Sequence, residues 1–192
     1  MDILPTEYSI ELLDLFDNVK PFSYTEVERI FIEELGAKPE KIFKDFQKVP
    51  FASASFGQVH AGKLEDDTIV AIKILRPGIE IDIVSDFMLV DLLMFIADIF
   101  FKNTILSWKE IGSEFKEWTQ KELDYRIEAQ HGELMYQSLK DNKNVVIPKI
   151  YHNLTTKKIL VEEYIEGILL SKVLRGLKDG RLNAEKLLSY GF

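Results

Sequence analysis

Hydrophobic positions change period several times along the chain, and each change predicts an element. Residues 6–17 place Ile10, Leu13 and Phe16 three apart, with Leu12 and Leu15 beside them, which predicts a small amphipathic helix. Pro21 breaks it. Ser23 followed by Glu26 has capping-box spacing, so a second helix should run to about Leu35 and stop at Gly36. Pro39 to Phe43 reads as one further turn of helix. From Gln47 the pattern becomes strand-like: a small-residue loop from Phe51 to Gly57, a strand over 58–62, a hairpin turn at Leu64 to Asp67, and a β-branched run from Ile69 to Leu75. Arg76-Pro-Gly78 ends that run. Long helices are predicted over 79–101 and 107–140, then extended segments at Val145 to Tyr151 and Lys158 to Tyr164, and finally a helical region after Gly167.

This order predicts an α+β fold: a five-stranded antiparallel sheet, interrupted by a long helical insertion and preceded by N-terminal helices. The expected units are a helical extension over 1–46, a sheet-bearing lobe over 47–166, and the start of a further lobe over 167–192. No internal repeat or low-complexity tract is present.

Composition narrows the function classes. With 192 residues and 46% hydrophobic content the chain can bury a substantial core. It has no cysteine, which excludes disulfides, thiolate zinc sites and a cysteine nucleophile, and fits a reducing, intracellular setting. The formal charge of -8 argues against nucleic acid as a partner. His60, His131 and His152 lack metal-ligand spacing and read as packing or surface residues, so no metal site is expected. Asp2, Glu7 and Glu11 do not suit a signal peptide. The stretch FMLVDLLMFIADIFF invites a membrane reading. Asp82, Asp86, Asp91 and Asp98, however, fall on opposed sides of that helix, which argues against a span and for a helix covered on most sides by protein. Its excess apolar surface keeps peripheral membrane contact as an alternative.

Lys73 is the most pointed candidate. It stands inside Val70-Ala-Ile-Lys-Ile74 among apolar neighbours, where an ammonium requires an anion. Val-Ala-Ile-Lys on a strand that follows a small-residue loop is the kinase arrangement for holding ATP phosphates. The loop holding Ala52, Ser53, Ala54 and Ser55 takes the place of a glycine-rich cradle, though it does not match G-x-G-x-x-G. Ser53 and Ser55 could donate hydrogen bonds there. On the predicted long helix, Asp124 and Glu128 are four apart; a nearby cation would offset their repulsion, and Lys73 reaching Glu128 would form the strand-to-helix pair that orients a kinase lysine. Glu122 and Arg126 form an ordinary i,i+4 surface pair as the bland alternative. Glu163 and Tyr164, leaving the last strand toward Gly167, occupy the place of a hinge where backbone groups could meet adenine.

These residues resemble the ABC1 family of atypical kinases, also called UbiB or ADCK. The likeness runs through Asp2-Ile-Leu-Pro5 and is sharpest in Pro50 to His60, Val70 to Lys73 and Arg76 to Gly78. It resumes at Glu122-Leu-Asp-Tyr125, Glu128-Ala129, Val146 to Tyr151 and Glu163 to Gly167. The resemblance implies a kinase-like N-lobe, with Lys73 as nucleotide lysine and Glu128 as its helix partner. Glu122 and Asp124 match the family's E-x-D, which meets a lysine in a K-x-G-Q extension over the active site. It also implies ATP or ADP with Mg²⁺ in a full-length parent, and a role in coenzyme Q or other isoprenoid-lipid metabolism, with membrane or lipid contact. No K-x-G-Q, catalytic-loop H-x-D-x-x-x-x-N or D-F-G occurs in these residues. The expectation is therefore a fragment with no identifiable catalytic residue or metal ligand, completed by a missing C-lobe or partner subunit. The competing expectation is a non-catalytic docking module for a protein or a membrane.

Overall fold

The computed structural model describes residues 20–53, 55–100, 107–168 and residue 173. The helices expected over 6–17 and after Gly167, and Ala54 of the small-residue loop, lie outside the described residues.

Helix α1 spans Tyr24–Leu35. The Ser23 side chain accepts a hydrogen bond from the backbone N–H of Glu26, and Gly36 at φ 75° ends the helix in the left-handed conformation that glycine adopts without a Cβ penalty. Val27, Ile30 and Phe31 share one stripe and are fully buried. A short α2, Pro39–Ile42, leads into two two-residue strands, β1 (Asp45–Phe46) and β2 (Ala52–Ser53). The main strands are β3 (Gly57–Lys63), β4 (Ile69–Leu75) and β5 (Ile159–Glu163). All pairings are antiparallel, in the order β1-β3-β4-β5, with β2 also paired to β3.

The period of two divides the sheet into chemically different faces. Val70, Ile72 and Ile74 of β4, with Ile159 and Val161 of β5, point toward α1 and pack with Phe31, Phe43 and Phe46. Fully burying one such side chain stabilises by about 1.5–3 kcal/mol. Gln58 and His60 also lie on this face, opposite Ile74 and Ile72. They are satisfied internally. A His60 ring nitrogen lies 2.8 Å from the Gln47 carbonyl, the other lies 3.0 Å from the Gln58 amide, and the Gln58 amide oxygen accepts from Phe22 N at 2.9 Å. His60 is thus a packing histidine stacked on Phe46 at 5.1 Å. Burial holds its pKa below the ordinary histidine value.

The opposite face carries Ala71, Lys73 and Leu75, beneath three helices inserted between β4 and β5: α3 (Ile79–Phe100), α4 (Trp108–Glu122) and α5 (Tyr125–Leu139). The continuous helix expected over 107–140 is two helices. The Asp124 side chain accepts from Arg126 N and caps α5, while Tyr125 N donates to the Lys157 carbonyl, which fixes the elbow. The expected strand at Val145 to Tyr151 is not formed; Ile150 alone bridges to Glu162. Pro148 has no N–H to donate to a ladder. Five antiparallel strands are present as expected, but β1 and β2, both paired to β3, are among them and the 145–151 segment is not.

Helix α3 differs most from expectation. Of its residues only Ile83 is buried; Ile81, Met88, Phe95 and Phe100 are among its many exposed apolar side chains. It packs against α4 along one side, where Asp91 accepts from Lys116, and its first turn is tied to Lys157 through Glu80. Protein does not cover it on most sides among the described residues. None of the described helices is long and apolar enough to cross a membrane.

Candidate functional site

The site begins with a register. In the sheet, Lys73 stands opposite Val59 on one neighbour and Leu160 on the other, and Ala71 stands opposite Ala61 and Glu162. Directly opposed residues share a face, so Lys73 rises from a floor of Val59, Ala61, Ala71 and Leu160. Two alanines among these keep the floor low. Leu75, Leu160, Tyr125 and Ala129 pack α5 onto this face and bring its first turns to the lysine.

The Lys73 ammonium donates to Glu128 Oε1 at 2.5 Å and lies 3.2 Å from Glu162 Oε1. Burial lowers its pKa, but hydrogen bonding to Glu128 and the charges of both glutamates more than offset this, so the amine is held above its ordinary value. The strand-to-helix pair expected between Lys73 and Glu128 is formed. The expected Glu122–Arg126 pair is not: Arg126 donates two bonds to Asp124, at 2.9 and 2.6 Å. Those bonds hold the Asp124 carboxyl below the usual range despite partial burial. Repulsion between Asp124 and Glu128 is thus relieved by separate cations.

The small-residue loop folds back over β3. Ala52 pairs with Val59 and Ser53 with Gln58, so register puts Ala52 on the lysine's face and Ser53 on the core face. The Ser53 hydroxyl is buried there and has no hydrogen-bond partner among the described residues. A phosphate contact from the Ser53 side chain, one of the roles expected of it, runs against this register. Gly57 closes the loop under close constraint: a Cβ on it would lie 2.4 Å from the Ile74 carbonyl oxygen and 2.8 Å from the Tyr125 hydroxyl. Arg76 fixes the loop from behind, donating from Nε to Ser55 O (3.3 Å) and from a terminal nitrogen to Lys20 O (3.1 Å), while its backbone N–H reaches Phe56 O at 2.7 Å.

At the end of β5, Glu163 N donates to Lys149 O at 2.8 Å and Tyr164 N to Ile69 O at 3.1 Å. Both N–H groups are committed to protein, so base recognition at these two residues would fall to their carbonyls. The Tyr164 ring meets Phe51 edge-on at 5.7 Å, joining this segment to the start of the small-residue loop. Glu122 and Asp124 line a cavity of about 480 Å³ along the α4–α5 elbow, with Trp118, Tyr125, Glu128 and His131.

Sequence reasoning missed Glu162, Tyr125 and Arg76. A signal existed for Glu162, because a period of two starting at inward-facing Leu160 puts it on the lysine's side. The Tyr125 hydroxyl is buried beside Glu128, Glu122 and Glu162, and burial followed by those charges raises its pKa. Among the described residues no group of three or more acidic, histidine or cysteine side chains could hold a metal ion.

An antiparallel sheet with a lysine on an inner strand, paired to a glutamate from an inserted helix, and with a small-residue segment paired to the neighbouring strand, defines a kinase-like N-lobe. A family model for the ABC1 atypical kinase-like domain matches residues 14–191. The chain belongs to that family. It is 39% identical over 171 residues to the abkB protein of Dictyostelium discoideum, covering 86% of this chain and 25% of abkB. It is 34% identical over 194 residues to UbiB of Cellvibrio japonicus, covering 99% of this chain and 34% of UbiB. A solved structure of Rv3197 from Mycobacterium tuberculosis, in complex with erythromycin, superposes with a TM-score of 0.67 at 26% identity, covering 90% of this chain and 43% of that one. The chain therefore spans between a quarter and under half the length of these relatives.

Proposed function

We propose that this chain is the nucleotide-holding lobe of an ABC1-type atypical kinase or ATPase. Lys73 grips the phosphates of ATP or ADP, Glu128 fixes the lysine, and Val59, Ala61 and Ala71 form the shelf for the base. Backbone carbonyls at Glu163 and Tyr164 lie at the shelf's end, and the small-residue segment that includes Ala52 and Ser55 is the part of the lobe that would meet the phosphates with main-chain groups; Ala54 takes the place the family motif gives it. Glu122 and Asp124, at the elbow, take the regulatory place that the family motif gives them. The observation that carries this reading is the 2.5 Å Lys73–Glu128 contact between an inner strand and an inserted helix.

The residues fit a nucleotide phosphate in one concrete respect. An ammonium has three N–H donors; the tight contact to Glu128 engages one as the positioning pair, and the side of the ammonium that faces Glu162 can serve phosphate oxygens. Mg²⁺, when bound with nucleotide, would neutralise phosphate charge; this lobe's part is to bind and orient. The name of UbiB, and the family's association with coenzyme Q, support isoprenoid-lipid metabolism as the setting of this lobe. Titration of the purified chain with Mg·ATP and Mg·ADP tests the reading: Lys73→Ala should weaken binding by roughly tenfold or more, in line with loss of a charge-assisted contact. Equal affinities for the two proteins would remove the phosphate contact.

The exposed apolar side chains of α3 favour a second reading, a lobe that also docks a membrane or another protein. Sedimentation with liposomes separates the two kinds of partner, and a chain that ignores vesicles would leave only a protein face.

A further inference from the structure

Lys73 has a second carboxylate beside it, that of Glu162, in addition to the strand-to-helix pair. We propose that Glu162 is an internal counter-anion that occupies Lys73 when no nucleotide is bound, so that an incoming phosphate must displace it. The inference rests on the nucleotide reading above and assigns this lobe a built-in competitor for its own ligand.

Geometry distinguishes the two glutamates. Glu128 comes from a helix, lies 2.5 Å from the ammonium, and has a side chain 45% exposed. Glu162 comes from the neighbouring strand, lies at 3.2 Å, and is only 16% exposed. Register sets Glu162 opposite Ala71, on the low part of the floor, so its carboxylate stands beside the shelf rather than behind the lysine. Glu128 approaches from α5. The longer contact, on the ligand's side, is the one a phosphate would replace; the shorter one can persist as the positioning pair.

Charge gives the contact its effect. One ammonium between two carboxylates leaves the cluster a net charge of about −1, and an anion approaching it meets repulsion from Glu162 along with attraction to Lys73. Because Glu162 is mostly buried, solvent screens that repulsion less than it would at a surface. A phosphate can win only by supplying more negative charge and more acceptor oxygens to Lys73 than one carboxylate does. The device therefore favours polyphosphates over singly charged anions. It also predicts opposite consequences for two chemically identical substitutions: neutralising Glu128 loosens the lysine, whereas neutralising Glu162 frees it.

The test compares the native chain with Glu162→Gln, Glu128→Gln and Lys73→Ala, using Mg·ADP titration and the rate at which an amine-acylating reagent labels Lys73, located by mass spectrometry. Gln keeps the shape and removes the charge. Glu162→Gln should tighten Mg·ADP roughly three- to tenfold, and Glu128→Gln should weaken it. Glu162→Gln should also speed acylation of Lys73 without nucleotide, because losing a carboxylate lowers the amine's hold on its proton. Weaker or unchanged nucleotide binding in Glu162→Gln, while Lys73→Ala still loses affinity, overturns the counter-anion. An unchanged labelling rate overturns the contact itself. If Lys73→Ala binds as the native chain does, the nucleotide reading falls and takes the competition with it, and the labelling rate then reports whether Glu162 holds the lysine at all.

Discussion

The two faces of β4 differ by one residue in sequence and by the whole of their chemistry. Val70, Ile72 and Ile74 are fully buried against α1, whereas Lys73, between two of them in the chain, keeps 29% of its side chain open and finds two carboxylates. The core face does contain polar groups, in Gln58 and His60, but they are enclosed and bonded in a neutral chain to Gln47 and Phe22. On the site face the polar groups are ionic and partly open. The difference teaches that a single strand can fix the fold with one face and hold an exchangeable charge with the other. Substitutions on the two faces should therefore fail in different ways.

The largest separation is expected from Ile72→Ala. Ile72 is fully buried, and its Cδ1 would lie 2.6 Å from a Cβ built on Gly62, so the neighbouring strand already packs against it closely. Truncating such a side chain costs about 2–5 kcal/mol through lost transfer energy and the cavity left behind. Urea denaturation followed by circular dichroism measures it directly. A loss of under about 1 kcal/mol would show that the α1 side is not the core of the lobe.

A pH experiment sharpens the comparison from the polar side of the core. Burial depresses the folded-state pKa of His60 below 6.5, although its bond to Gln47 works in the other direction. The unfolded chain therefore takes up a proton at higher pH than the folded one. The resulting stability is present above about pH 6.5 and is lost as pH falls through the folded-state value. Thermal melting of the native chain should decline over this window, after subtraction of the same curve for His60→Gln. Parallel curves for the two proteins would mean that His60 can be protonated in place at no cost to the fold.

Legibility in the sequence followed the range of the interaction. The α1 caps, the two long strands and the turn between them rest on neighbours within a few residues, so Ser23, Gly36 and the run from Ile69 to Leu75 announced them. The Lys73–Glu128 pair joins positions 55 apart, but a lysine in an apolar strand demands an anion, and Glu128 stood on a helix at the right place in the order. Strands β1 and β2 have two residues each, too few to show alternation. The α4–α5 break depended on the Asp124 side chain turning back to cap, which the apolar stripe around it concealed. Glu162 was hidden for another reason: its strand was evident, but only the register against β4 sets its carboxylate beside Lys73. The open flank of α3 was legible only as the alternative to burial, because excess apolar composition calls for cover and does not say what supplies it.

The smallest effect on stability should come from the residues that matter most for the proposed chemistry. Lys73 and Glu128 are 29% and 45% exposed, and partly exposed ion pairs contribute about 0–1 kcal/mol once solvent screening and side-chain entropy are counted. Lys73→Ala, Glu128→Ala and the double variant should each stay within about 1 kcal/mol of the native chain in urea, with a coupling energy of a few tenths. The glutamate Glu162 keeps the Lys73 single variant from being a clean deletion, since it loses its cation at the same time. That is why the double variant is needed. A loss above about 2 kcal/mol for Lys73→Ala alone would make the lysine a structural brace. Weakened nucleotide binding in that variant would then report a damaged sheet, and the division of labour between the two faces of β4 would disappear.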